Sequence, residues 1–324
     1  MAGNTTNPYL TKKAQEKRRL SIPVVAVCTI FGLGAASAGI DLFREGKTLS
    51  GVMAVLLLAA LAGCHAGSDP AARAEARLRH EVETAGGFRQ VRAAEALGPF
   101  AEFPADSESP QVRIGQYRVR IAAGRREYEE VLRRRALDGS APEQCHALES
   151  AAKLAIRFSP EERRQLWDIV NGPDSPAAGY ALWLLAANGD AGAARRVTAG
   201  LENGGPPALT CAYASAFLPE LPEARETALR RLLEREPADS QLAAFTLWAL
   251  ACHGKAGTDV VRRRLRALPD GTAEKVLRFH LAALGEAGTA EDLAELAGYL
   301  DSPEPEIANA AAGAILRITG RAGR

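Results

Sequence analysis

Pairs of adjacent arginines recur along this chain at a spacing that could build a charged surface. The pairs are Arg133 and Arg134, Arg163 and Arg164, Arg195 and Arg196, Arg230 and Arg231, and Arg262 and Arg263. If these positions stack in successive repeats, the pairs form an electropositive stripe that could bind an acidic partner or anionic lipid. The alternative is a solvated helix face, on which the arginine stems cover apolar surface and the guanidinium groups pair with glutamates.

Three histidines directly follow a cysteine, which raises the question of metal or haem binding. The dipeptides are Cys64-His65, Cys145-His146 and Cys252-His253. A zinc site needs two ligand pairs, and haem attachment needs a second cysteine three residues upstream. Neighbouring side chains on a helix point roughly 100° apart, so one dipeptide rarely supplies two ligands. We therefore predict no metal, no cofactor and no catalytic residue, and we expect that the chain is not an enzyme.

The composition favours helix. The 324 residues are 47% apolar and 24% charged, and they contain no long alternating runs of β-branched residues. Alanine and leucine are abundant, and both have low conformational penalties in a helix. The sequence therefore predicts an all-α fold. A formal net charge of +1 gives no reason to expect nucleic-acid binding.

Turn residues recur at a nearly constant spacing from about residue 125 onward. The turns begin at Asp138, Asn171, Asn203, Glu236, Pro269 and Asp301, so that successive turns are 33, 32, 33, 33 and 32 residues apart. Each turn separates two apolar helical segments, and this pattern predicts an array of helix pairs. Ser159, Pro160 and Glu162 predict a capped helix start. Gly189, Gly254, Gly285 and Gly320 are predicted to end helices, and Trp167, Trp183 and Trp248 to pack in the core.

The final unit carries a family resemblance. Residues 293–318 read LAELAGYLDSPEPEIANAAAGAILRI and resemble a HEAT repeat of the short, phycobilisome-lyase type. The resemblance implies a right-handed α-solenoid of HEAT-like helix pairs over residues 125–324, preceded by a linker and irregular helices over 68–124. It implies a scaffold or adaptor, such as an accessory subunit of a membrane complex, that binds a protein partner along its length. Each unit is expected to bury its apolar face only against its neighbours. The alternative is an enzyme such as a lyase, which a deep pocket lined by groups with shifted pKa values would support.

Two apolar segments near the N-terminus predict a membrane anchor over residues 21–67. A bilayer-spanning helix needs roughly 20 apolar residues, and residues 21–40 and 49–67 are the two candidate spans. The arm over residues 1–20 and the segment after the second span are more basic than the loop between the spans. The positive-inside rule therefore predicts a helical hairpin with a cytoplasmic arm and a cytoplasmic solenoid at a bacterial cell membrane.

A second interpretation of the anchor stays open. Leu61, Ala62, Gly63 and Cys64 resemble a bacterial lipobox, after the apolar run 52–60 and before a polar linker. The resemblance implies cleavage before Cys64 and lipidation of its thiol, which would anchor a periplasmic or surface lipoprotein. The two interpretations predict the solenoid on opposite sides of the membrane.

Overall fold

The computed structural model describes residues 69–98, 102–172 and 176–320. The predicted arm, both predicted membrane spans and Cys64 lie outside these residues. Among the helices in the described ranges, none combines the length and the apolar character that crossing a bilayer requires. The chain divides between Arg73 and Ala74 into two compact units, and nearly all of the described residues belong to the second unit.

The described residues form helices and no strand, which confirms the all-α prediction. Two short 3-10 helices cover Arg126–Tyr128 and Ala290–Asp292. The fifteen α-helices are α1 Pro70–Thr84, α2 Gly87–Leu97, α3 Pro110–Ala122, α4 Glu129–Leu137, α5 Gln144–Lys153, α6 Pro160–Asn171, α7 Pro176–Ala187, α8 Ala191–Asn203, α9 Gly205–Ser215, α10 Glu223–Arg235, α11 Gln241–Cys252, α12 Thr258–Arg266, α13 Glu274–Ala287, α14 Leu293–Tyr299 and α15 Pro305–Ile318.

Local signals account for the ends of several helices. Ser159 Oγ accepts a hydrogen bond from the Glu162 amide, and the Glu162 carboxylate accepts one from the Ser159 amide. This reciprocal capping box begins α6 as predicted. Gly189 and Gly254 follow α7 and α11 with φ angles of 86° and 65°, a left-handed conformation that ends a helix and favours glycine.

One predicted helix end is wrong. Gly285 lies inside α13 rather than after it. A Cβ atom at this position would lie 2.8 Å from the Cα atom of Ala314 on α15. The glycine therefore permits a close approach of two helices, and it does not terminate one.

From α4 onward the helices alternate between two layers. The outer helices are α4, α6, α8, α10, α12 and α14, and each packs against the inner helix that follows it: α5, α7, α9, α11, α13 and α15. Each of the predicted turns falls between an outer helix and its inner partner. Leucines from both layers fill the space between them, such as Leu166, Leu201, Leu184 and Leu250, which are almost fully buried.

The two ends of the helix array meet. Each inner helix contacts the next one, from α5 to α15, while α3 contacts both α5 and α2. The last helix, α15, then packs against α2. Arg92 on α2 pairs with Glu306 on α15, and a Cβ atom at Gly313 would lie 3.3 Å from Ala96. The expectation that units contact only their sequence neighbours is therefore wrong for the terminal units, because eight helices close into a ring.

Candidate functional site

Side chains from all eight ring helices surround a central cavity. Its volume is about 640 Å³, within the range of about 300–1,000 Å³ that is usual for small-molecule sites. Part of its wall is charged and part is aromatic. The charged side chains are Arg92, Glu95, Arg118, Glu149, Lys153, Lys275, Arg278, Glu286, Glu306 and Arg317, and the aromatic ones are Phe88, Tyr180, Tyr213, Phe217, Phe245, Trp248 and Phe279.

A first ion pair connects three neighbouring helices of the ring. Arg118 Nε on α3 donates to Glu95 Oε1 on α2 at 2.5 Å, and Arg118 Nη1 donates to Ser150 Oγ on α5 at 2.8 Å. The Arg118 side chain is only 9% exposed. Burial opposes ionisation of Glu95, but Arg118 and Lys153 outweigh burial and lower the pKa of this carboxyl. Glu95 is therefore a carboxylate at neutral pH.

A second ion pair lies along one turn of α5. Lys153 Nζ is 2.8 Å from Glu149 Oε1, and the Tyr213 hydroxyl donates to the same oxygen at 3.1 Å. Burial would raise the pKa of Glu149, but Lys153 and Arg118 hold it at about 2. Burial and the Glu149 charge raise the pKa of Tyr213 well above its usual value. Both residues therefore keep fixed protonation states near neutral pH.

A third cluster joins α2, α13 and α15. Arg92 Nε donates to Glu306 Oε2 at 2.9 Å, and Arg278 Nη1 lies 3.3 Å from the same oxygen. Burial opposes ionisation of Glu306, but Arg92 and Arg278 lower its pKa. Lys275 lies one helical turn before Arg278, and it has no carboxylate at ion-pair distance within the described ranges. Burial and Arg278 lower the pKa of Lys275.

Five of the seven aromatic side chains form one continuous part of the wall. The ring centroids of Phe245 and Phe279 are 4.5 Å apart with planes at 77°, and those of Trp248 and Phe279 are 5.1 Å apart. The ring centroid of Tyr213 lies within 6.0 Å of the centroids of four other rings, which are those of Phe217, Phe245, Trp248 and Phe279. Edge-to-face and tilted contacts of this kind stabilise a fixed arrangement of rings. The cavity therefore offers a preformed apolar surface.

Shifted pKa values limit the catalytic roles open to five groups on the ring helices α2, α5 and α15. A general acid works best with a pKa near the working pH, whereas the lowered pKa values of Glu95, Glu149 and Glu306 keep them ionised. Burial lowers the pKa of His146 and raises that of the Cys145 thiol, so both are uncharged at neutral pH. None of the three carboxylates is a general acid at pH 7, whereas a carboxylate can still act as a nucleophile and neutral His146 can still accept a proton. A cavity lined by groups with shifted pKa values is also the feature that would support the enzyme alternative, which stays a prediction.

The predicted arginine stripe lies on the outer helices and is partly neutralised. Arg133, Arg164, Arg230 and Arg262 pair with carboxylates, and Arg196 lies over the Trp167 ring. The remaining members are Arg134, Arg163, Arg195, Arg231 and Arg263, which have no ion-pair partner among the residues that the structure describes. Part of the stripe thus matches the solvated-face interpretation, and a binding surface there stays a prediction.

Cys64-His65 lies outside the described residues, and the other two cysteine–histidine dipeptides do not converge on one site. His146 packs against the Phe88 ring with centroids 4.9 Å apart, whereas His253 Nε2 lies 2.8 Å from the Ser215 carbonyl oxygen. In the described part of the chain, no group of three or more His, Cys, Asp and Glu residues could hold a metal ion.

Most of the residues that line the cavity were not predicted from the sequence. Trp183 is fully buried as predicted, but Trp248 lines the cavity. A usable signal was present in the second helix of each pair, where polar or aromatic residues interrupt an alanine-rich face. Glu149 and Lys153, four residues apart on α5, are an example. Such residues on a face that should be buried indicate an internal polar site.

Comparison with known proteins yields no relative. The chain matches no family model, no curated protein and no solved structure.

Proposed function

We propose that this chain is a binding protein that holds a small organic ligand in the central cavity of its helical ring. The observation that carries the proposal is the convergence of eight helices on one cavity with both a charged and an aromatic wall. Such a wall binds ligands that combine an apolar body with polar groups, because the rings exclude water while the charges orient the ligand. The cavity carboxylates Glu95, Glu149 and Glu306 stay ionised at neutral pH, so they offer fixed charges to a ligand and are not general acids.

The proposal retains two features predicted from the sequence. The apolar segments 21–40 and 49–67 favour a membrane anchor, so that the ring would bind its ligand beside a bilayer. Turns at intervals of 32 or 33 residues favour a solenoid of HEAT-like repeats, here with its ends in contact. An adaptor role, with a protein partner on the outer helices, stays a prediction.

Filling the cavity is expected to weaken ligand binding. Ala282 and Ala310 line the cavity, and a tryptophan at either position would occupy its volume. We expect the purified wild-type protein to bind 1-anilinonaphthalene-8-sulfonate at one saturable site, as measured by dye fluorescence. Ala282→Trp and Ala310→Trp are expected to lower the affinity at least about tenfold, the effect of losing about 1.4 kcal/mol of binding free energy.

The matched control is Ala199→Trp. Ala199 is exposed on the outer helix α8, so this variant adds the same side chain without entering the cavity. It should bind the dye with wild-type affinity. Unchanged binding by both cavity variants, or the absence of saturable binding by the wild type, would contradict the proposed function.

The membrane anchor has its own test, which is the intact mass of the protein purified from its own membranes. The hairpin predicts a mass that corresponds to all 324 residues with no lipid attached. A mass that begins at Cys64 and includes acyl chains would instead support the lipoprotein. A water-soluble protein without lipid and without residues 1–67 would contradict both forms of the anchor.

A further inference from the structure

We infer that the cavity binds its ligand through an acid group and that one corner of the cavity holds this group. We call it the α13 corner and define it as Arg92, Lys275, Arg278 and Glu306. The ligand class is therefore an aromatic acid, or another planar apolar molecule with one anionic group. The inference rests on the proposed function, because it names the ligand of the same cavity.

The cavity wall has an excess of positive charge. Six cationic side chains face four carboxylates, which leaves an excess of two. Elsewhere on the wall the charges balance one to one, and the balanced pairs are Arg118 with Glu95, Lys153 with Glu149, and Arg317 with Glu286. The whole excess therefore lies in the α13 corner, where three cations share one carboxylate.

The shared carboxylate cannot satisfy all three cations. Glu306 is 13% exposed and accepts from both Arg92 and Arg278. Glu274 also acts on Arg278, but it is exposed and does not line the cavity. Lys275 is also exposed, but it lines the cavity and has no ion-pair partner in the described part of the chain. The charge of Glu149 acts on Lys275 as well, without reaching ion-pair distance. Like charges held together in a partly desolvated site repel one another, and a bound anion would relieve this repulsion.

The two cations on α13 offer donors suited to an acid group. Lys275 and Arg278 are three residues apart, so their side chains lie on the same face of the helix. The planar guanidinium of Arg278 can donate to a carboxylate in a fixed geometry, and the ammonium of Lys275 adds a mobile donor. The Arg278 side chain is 18% exposed, so a ligand can reach a group that is already held in place by Glu306.

The same cations lie beside the aromatic wall. Lys275 Nζ is 5.6 Å from the centroid of the Phe245 ring, and Arg278 Cζ is 5.3 Å from that of Phe279. These two rings are themselves in edge-to-face contact. A ligand whose acid group binds these cations would therefore place its apolar body against the Phe245 and Phe279 rings. This adjacency selects a ligand in which the acid is attached directly to a flat apolar body.

The experiment compares three naphthalene probes by isothermal titration calorimetry. They share one aromatic body and differ in charge: 2-naphthoate is anionic, 2-naphthamide is neutral and 2-naphthylmethylammonium is cationic. We expect the wild type to bind 2-naphthoate at least about tenfold more tightly than either other probe, as a charge-assisted contact predicts.

A double variant tests the α13 corner itself. Lys275→Gln with Arg278→Gln removes both excess charges and leaves Glu306 paired with Arg92. Its affinity for 2-naphthoate is expected to fall about tenfold, to that for 2-naphthamide, while its affinity for 2-naphthamide stays within about twofold. The control is Arg231→Gln, which removes an exposed arginine on the outer helix α10, away from the cavity, and should bind 2-naphthoate within about twofold of the wild type.

The outcomes separate the inference from the proposed function. Equal affinities for the acid and the amide, both lost in Ala282→Trp, would overturn the acid-binding corner and leave the cavity as the binding site. Preferential binding of the cationic probe, or an unchanged double variant, would also overturn the inference alone. Binding of 2-naphthoate that persists in Ala282→Trp would overturn the proposed function.

Discussion

Replacing Arg118 by methionine is expected to lower the free energy of unfolding by about 3 kcal/mol. The change keeps most of the packed stem and removes the guanidinium that contacts Glu95 and Ser150. Removing one partner of a buried ion pair costs about 3–5 kcal/mol. The expected loss lies at the lower end because the Glu95 side chain is 33% exposed and so keeps contact with water in the cavity. Urea unfolding followed by circular dichroism measures the difference.

Two further variants test the reason for this loss. Glu95→Gln in the Arg118→Met background removes the unpaired charge, so it should recover part of the lost stability. Arg134→Met is the matched control, because Arg134 is exposed on α4 and has no ion-pair partner within the described ranges. The control should remain within about 0.5 kcal/mol of the wild type. An Arg118→Met protein that is equally close to the wild type would refute a structural role for the pair.

The contribution of Glu149 to stability is expected to depend on pH. Its pKa in the folded protein is about 2, below the ordinary value of 4.5. A carboxyl whose folded pKa is depressed stabilises the fold above its unfolded pKa, and the contribution disappears as pH falls through the folded pKa. A shift of this size corresponds to about 3 kcal/mol at neutral pH. This contribution should therefore be complete above pH 4.5 and should decline towards pH 2.

The measurement is the free energy of unfolding of wild type and Glu149→Gln as a function of pH. At pH 7 the variant should be less stable by about 3 kcal/mol, and the two curves should converge between pH 4.5 and 2. Glu83→Gln, on the exposed side of α1, is the control and should match the wild type at pH 7 within about 0.5 kcal/mol. Parallel curves for wild type and Glu149→Gln would show that the carboxylate charge is not the stabilising feature.

Several local features could be predicted because they depend on residues close together in the chain. The capping box of Ser159 and Glu162 joins groups three residues apart, and each predicted turn arises from residues that do not continue a helix. Gly285 shows the limit of such local rules. The same residue type ends a helix at Gly189 and permits close helix packing at Gly285, and only the neighbouring α15 distinguishes the two cases.

The cavity residues were harder to predict because their chemistry depends on distant partners. Tyr213 donates to Glu149 across 64 residues, and Arg118 donates to Ser150 across 32. Considered singly, each of these residues is an ordinary polar member of an amphipathic helix. Their significance appears only when the helices that carry them face the same interior.

The sequence by itself determined the helical class, the alternation of helix pairs and the turns between them, since these depend on helix propensity, capping and apolar periodicity over a few residues. Only the tertiary structure decided that the array closes, because the contact of α2 with α15 joins Arg92 to Glu306 across 214 residues. Whether the ends of an array meet depends on the small rotation between successive units, summed over all of them. That sum converts a row of helix pairs into a ring with a charged and aromatic cavity at its centre.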